Sequence, residues 1–147
     1  MRVEFQKSKA QNYIYSVAAA SRILGVSRFK VSIQIWNKVV WVHVKGSSPT
    51  LISKKVFRDH FVAWRKASGA KIREAGRVIT EDGGFIVEGS KDSYIVIPEK
   101  DGIYCDCMDY QAQTEYFGKA ACKHIYAVLG VLGFDALSDY VNSDRAA

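Results

Sequence analysis

A chain of 147 residues with a 48% hydrophobic share is too apolar for a disordered segment and long enough for one ordinary domain or two small ones. No run approaches the roughly 20 apolar residues that cross a bilayer, and the opening MRVEFQKSKAQNYIY lacks the apolar centre of a secretory signal, so a cytoplasmic location, nucleoid or nucleus included, is expected. The net charge of +6 is unevenly spread: residues 1–80 carry 16 Lys and Arg against Glu4, Asp59 and Glu74, a net +13, whereas residues 81–147 carry five against 12 acids, a net −7. Such asymmetry points to two modules with different partners, the basic one facing phosphates.

In chain order, residues 1–12 read as an arm or a first short strand (VEF). Ser16 is an N-cap candidate for a helix over Val17 to Leu24, and Gly25 supplies its stop. Ser27 gives a second start signal, and the Val31 and Ile35 spacing predicts a helix to about Trp36. Lys38 to Lys45 (KVVWVHVK) alternates as a strand, Gly46-Ser-Ser-Pro49 is turn chemistry, and Thr50 to Ser53 is the return strand. Ser53 then caps a helix through about Ala67, on which Val56, Phe57, Phe61 and Trp64 form an apolar stripe.

The order helix, Gly-Val-Ser, helix, β-hairpin, helix over residues 13–67 resembles the winged helix-turn-helix of excisionase and MerR-like DNA-binding proteins. That resemblance implies that the second helix enters the major groove. Arg28, Lys30 and Gln34 are then its outward positions, with Arg28 and Gln34 able to make paired hydrogen bonds to base edges. Arg22, Lys38, Lys45, Lys54 and Lys55 are candidates for phosphate contacts, which set register without reading sequence. DNA is the expected partner of residues 1–70, with RNA as the alternative. The plain alternative for all eight residues is a solvated surface.

Residues 68–77, SGAKIREAGR, contain two glycines and no continuous apolar face. They read as a linker, placing a boundary near 70 and dividing the chain into domains 1–70 and 71–147. GRVIT, GFIVEG and SYIVI follow, separated by clusters of Gly, Asp, Ser and Pro, and predict a three-stranded antiparallel meander. Ile103 and Tyr104 lead from it to the first cysteine.

All three cysteines lie in the next twenty residues. Cys105 and Cys107 are one residue apart, fourteen residues follow, and Cys122 and His124 are again one apart. Two tight pairs of soft and borderline donors are what a closed tetrahedral Zn²⁺ site of the Cys₃His type requires. Strand alternation would point Cys105 and Cys107 to opposite faces, so the chain must turn at Asp106. On a helix two residues subtend about 200°, so Cys122 belongs at or before a helix start with His124 in its first turn. Ile125, Val128, Leu129 and Leu132 supply the apolar stripe behind them, and the helix N-terminus is expected to favour the Cys122 thiolate. Gly133 ends that helix, and a short helix in ALSDYVNSDRAA brings Phe134, Leu137 and Tyr140 back onto the strands.

Cys-x-Cys, a spacer and Cys-x-His, with strands before and an apolar helix behind (CDC and CKHIYAVL), resembles a SWIM-type zinc finger over residues 105–124, within a wider module of about 78–133. The resemblance implies a structural Zn²⁺ in a small module of the kind attached to transposases, chromatin-remodelling ATPases and recombination accessory proteins, contacting DNA or protein without catalysis. Two other readings are buried apolar cysteines with a core histidine, and a Cys–His catalytic dyad. The first needs two ligand pairs to fall by chance into one strand-to-helix frame, and the second lacks an orienting partner. His43 and His60 stand alone and are assigned structural roles.

Three thiolates and a neutral histidine leave the zinc centre at −1, with Asp106, Asp109 and Glu115 nearby and only Lys119 and Lys123 to offset them. The acidic zinc half is therefore expected to dock protein while the basic half binds nucleic acid. The resulting expectation is an α+β protein with a small winged-helix-like module followed by a β-meander and helix zinc module. It has no enzymatic motif, small-molecule substrate or membrane partner, and it serves as a DNA-binding accessory or adaptor in transposition, recombination or transcription control. The alternative is a pure protein-interaction module within a larger protein or ribonucleoprotein complex.

Overall fold

The computed structural model describes residues 9–143. The expected strand at VEF lies outside them. The chain divides into two compact units between Ala63 and Trp64, and the secondary structure is mixed, with two separate antiparallel sheets.

The first unit opens with α1 (Lys9–Ile14) and α2 (Val17–Leu24). Ser16 caps α2 as expected, its hydroxyl accepting from Ala19 N–H at 3.0 Å. Gly25 ends it at φ 69°, a left-handed conformation that glycine adopts without steric cost. A short 3₁₀ turn, Arg28–Lys30, then leads into β1 (Val31–Ile35), β2 (Val39–Val44) and β3 (Thr50–Ser53), which pair in that order. Ser53 caps α3 (Lys54–Glu74) through Val56 N–H at 3.3 Å. Tyr15 from the α1–α2 connection and Ala19, Ala20 and Phe57 from the helices pack with Val31, Ile35, Val40, Val42 and Ile52 on one face of the sheet. Each large side chain buried there contributes about 1.5–3 kcal/mol.

This arrangement corrects the helix expected over 27–36. Val31 and Ile35 satisfy a helical i, i+4 spacing, but Ile33 between them completes an equally good period of two, and three β-branched residues in five favour the strand. With a strand in place of the predicted second helix, Arg28 and Lys30 lie in a 3₁₀ turn and Gln34 in β1, rather than on one α-helix.

The linker expected over 68–77 is also corrected, because α3 continues to Glu74. Its last turns carry no continuous apolar stripe for a specific reason: Gly69 presents bare backbone to a neighbouring helix. A Cβ built on Gly69 would lie 2.8 Å from Lys123 O, Ala127 N and Tyr126 Cβ. Of the nearby residues, Ile72 packs against the core of the second unit.

The second unit continues with β4 (Val78–Glu81), β5 (Gly84–Glu88), β6 (Ser93–Pro98) and β7 (Ile103–Cys105). These form a sequential antiparallel meander of four strands, one more than expected, because Ile103 to Cys105 pairs with Val96 to Pro98. Then come α4 (Met108–Phe117), α5 (Lys123–Leu132) and α6 (Leu137–Val141). Phe85, Val87, Val96, Ile103 and Cys105 on one sheet face bury against Ile125, Val128 and Leu129 of α5, joined by Tyr140. Tyr140 folds back as expected and donates its hydroxyl to Glu99 O at 2.8 Å. Helix α4 was not anticipated. It has no apolar stripe, and its buried residue is Gln113.

Candidate functional site

The metal-ligating pairs are positioned by three element ends. Ile103 and Cys105 alternate into the core while Tyr104 points out, so the first sulfur enters the interior from β7. The turn at Asp106 is held twice by Ile95 of β6: the Asp106 carboxylate accepts from Ile95 N–H at 2.9 Å, and Asp106 N–H donates to Ile95 O at 3.3 Å. Cys107 then becomes the N-cap of α4, its sulfur accepting from Tyr110 N–H at 3.3 Å. Cys122 is the N-cap of α5 and His124 lies in the first turn, as the spacing requires.

The four ligand atoms lie within 4.8 Å of one another, and all four residues are buried. His124 Nδ1 is 3.8 Å from both Cys105 Sγ and Cys122 Sγ. With Zn–S near 2.3 Å and Zn–N near 2.0–2.1 Å, a tetrahedral shell has edges of about 3.5–3.8 Å, so these distances fit Zn²⁺ with Nδ1 as the histidine ligand. The opposite nitrogen, Nε2, is buried without a hydrogen-bond partner among the described residues. Tyr94 stacks on the ring, with centroids 4.3 Å apart, and fixes its plane. Four buried protein donors match the ligand count of a closed tetrahedral zinc site.

The thiols are polarised by one another. Taken as protein groups alone, Cys107 is held well below the ordinary thiol range by S–H donation from Cys105 and then Cys122. Cys105 is pushed up to about 12, chiefly because it donates to Cys107. Cys122 rises further still through its hydrogen bonds with Cys105 and Cys107 and its burial. Hydrogen bonding among the three sulfurs, together with Tyr110 N–H at the start of α4, thus favours a first thiolate within the cluster. A second and third thiolate beside it become favourable when a dication offsets their repulsion.

Around the ligands runs a polar network that sequence reasoning missed. The Arg65 guanidinium clasps Asp109 with two hydrogen bonds of 2.9 Å. Gln113 donates to Asp109 at 3.0 Å and to Ala121 O at 3.3 Å, and accepts from Ala121 N–H at 3.0 Å. The residue before Cys122 is thus held by a buried amide that reads both of its backbone groups. Gln113→Ala leaves those groups unpaired next to a ligand, and it is expected to weaken zinc binding by about 10–100-fold, measured by competition with a chromophoric chelator. Each partner is ordinary alone, so only the folded spacer reveals the network.

Charge is redistributed by the same helix. Counted by structural unit, residues 1–63 carry 11 Lys and Arg against two acids, a net +9, and residues 64–147 carry ten against 13, a net −3. The zinc unit is less acidic than the half-chain count implied, and Asp109 is already paired with Arg65.

The eight residues expected to contact nucleic acid divide into two groups. Gln34 lies on the sheet face opposite the core, Lys30 and Lys45 meet one rung beyond the Val31–Val44 pair, and Arg28 and Lys38 are exposed at its two ends. Arg22, Lys54 and Lys55 lie on helices instead: Arg22 donates to His60 Nε2 at 3.1 Å, Lys54 sits over the Tyr15 ring, and Lys55 pairs with Asp59 at 2.6 Å. Burial, and then Arg58, lowers the pKa of Lys54. His43 stacks on Trp41, with centroids 5.8 Å apart. The cue available in the sequence was alternation itself, since a strand over 31–35 puts residues 32 and 34 on one side.

Comparison with known families places a SWIM zinc finger at residues 94–133. The match runs from β6 through α5 and contains all four ligands. Neither a curated protein nor a solved structure matches the chain.

Proposed function

We propose that this chain is a non-enzymatic nucleic-acid-binding protein whose zinc finger is a folding pin, and that it acts as an accessory or adaptor in a DNA transaction such as transposition, recombination or transcription control. The observation that carries this reading is an acid-free stretch. From Phe5 to Arg58 there is no Asp or Glu, while ten Lys and Arg occur. A polyanion meets no repelling carboxylate along that stretch.

The test is the salt dependence of DNA binding by the full chain, followed by fluorescence anisotropy. Engagement of about five cations predicts a slope of log affinity against log salt near −4.5 on duplex and −3.5 on a single strand. A flat response would sink the proposal. The second reading, a protein-interaction module, draws on the outer face of the four-stranded sheet, where Ile79, Ile95, Ile97 and Tyr104 are exposed. It predicts affinity for a partner protein that is insensitive to salt.

A further inference from the structure

The outer face of the three-stranded sheet has the composition of a stacking surface. Alternation and register place Trp36 beside Val39, Gln34 beside Trp41 and Leu51, and Ser32 beside His43 on this side, away from the buried Val31, Ile35, Val40, Val42 and Ile52. Trp36 Nε1–H donates to Gln34 Oε1 at 3.3 Å, so the indole lies across the same face. Trp41 and His43 lie nearly parallel, 20° apart. Leu51 is 55% exposed, and Phe29, at the end of the sheet, is 92% exposed. The Arg28 guanidinium carbon is 5.9 Å from the Phe29 ring centroid.

A phenylalanine with almost its whole surface in water is costly to keep unless something covers it. Cations surround this apolar surface: Arg28, Lys30 and Lys45 at one end and Lys38 in the hairpin at the other, all exposed. No carboxylate occurs on these strands.

Resting on the nucleic-acid reading above, we infer that this sheet face binds single-stranded nucleic acid, with Phe29, Trp41 and His43 stacking on unpaired bases while Lys30, Lys38 and Lys45 hold the backbone. A duplex keeps its base faces stacked inside and offers edges and phosphates. Aromatic faces gain little from it, and the Gln34 carbonyl that could help read an adenine edge already accepts from Trp36. An unpaired strand offers base faces to the rings and phosphates to the lysines at once. Stacking tolerates any base, so the face discriminates strandedness more than sequence.

The experiment titrates the zinc-loaded full chain into labelled oligothymidylate, oligouridylate and a mixed-sequence duplex of equal length. At least one single strand is expected to bind more tightly than the duplex. Phe29→Ala and Trp41→Ala are each expected to weaken single-strand binding about tenfold without changing the salt slope, and Trp41→Phe retains most of the affinity. Lys30→Ala and Lys45→Ala are each expected to reduce the slope by about 0.7. Trp41 has a packing role beside Leu51, but Phe29 is too exposed for its removal to disturb the fold, so Phe29→Ala decides the matter even if Trp41→Ala is unstable. Equal affinity for duplex and single strands with no effect of Phe29→Ala would overturn the stacking platform while leaving nucleic-acid binding by phosphate contact in place. Absence of binding to all three probes at low salt would overturn both.

Discussion

Removal of zinc from the full chain by a chelator is expected to unfold the second unit and spare the first. Cys105, Cys107 and Cys122 are part of the same buried cluster as Phe85, Val87, Val96, Ile125, Val128 and Leu129, so the ion and the apolar core form one cooperative structure. Structural zinc contributes on the order of 10–16 kcal/mol of binding free energy at neutral pH, against about 5–15 kcal/mol for the whole stability of a typical domain. Without the ion, three desolvated thiols and the Nδ1 of a buried histidine face one another at the centre of the core with no dication between them. Amide exchange is the appropriate readout. Protection at Val87, Val96 and Leu129 should be lost with zinc, whereas protection at Val40, Val42 and Phe57 persists, since those residues belong to a separate core. Cys122→Ser should reproduce the pattern without chelator. Loss of protection in both cores would show that the units are not independent in stability.

The second large effect is expected from a substitution that ordinarily stabilises a helix. Gly69→Ala raises intrinsic helix propensity by nearly 1 kcal/mol, yet it should destabilise the zinc unit. The new methyl would lie 2.8 Å from two backbone atoms and one Cβ of α5, Lys123 O, Ala127 N and Tyr126 Cβ. None of these is the end of a flexible side chain, so the helices must separate at the turn that carries His124. Overpacking of this kind costs about 1–3 kcal/mol, and a unit of this size loses about 4–8 °C of melting temperature per kcal/mol. Gly130→Ala is the matched control. The atoms nearest its methyl are Nε, Cδ and Cζ of the Arg73 side chain, at 2.6–3.2 Å, and these can swing aside. Thermal melts should therefore show a drop for Gly69→Ala and little change for Gly130→Ala, with zinc affinity following stability. Equal melting temperatures would mean that α3 and α5 are not held together at this glycine.

The two glycines also show where sequence reading reaches its limit. A glycine in SGAKIREAGR is indistinguishable in text from one in a linker. Its meaning depends on a helix that arrives 54 residues later in the chain, at Lys123. Gln113 is similar: a polar residue in a spacer becomes a buried connector once Ala121 stands opposite it. Val31 and Ile35 failed for another reason, since a spacing of four belongs to both a helix face and a strand face, and the sheet formed with β2 and β3 decides between them.

What the sequence determined by itself was whatever depends on donor chemistry and local periodicity. The Cys105, Cys107, Cys122 and His124 set, the start of α5 at Cys122, the hairpin over 38–53, the cap at Ser53 and the β-rich run before the cysteines were legible because each is encoded within a few residues. Tertiary structure decided what depends on residues distant in sequence. It set the strand at 31–35, the length of α3, the Arg65–Asp109–Gln113 network around the ligands, and the face on which Lys30, Gln34 and Lys45 meet Trp41 and His43. Those features arise from pairing and close approach across long loops, and no local pattern records which partner the fold will bring.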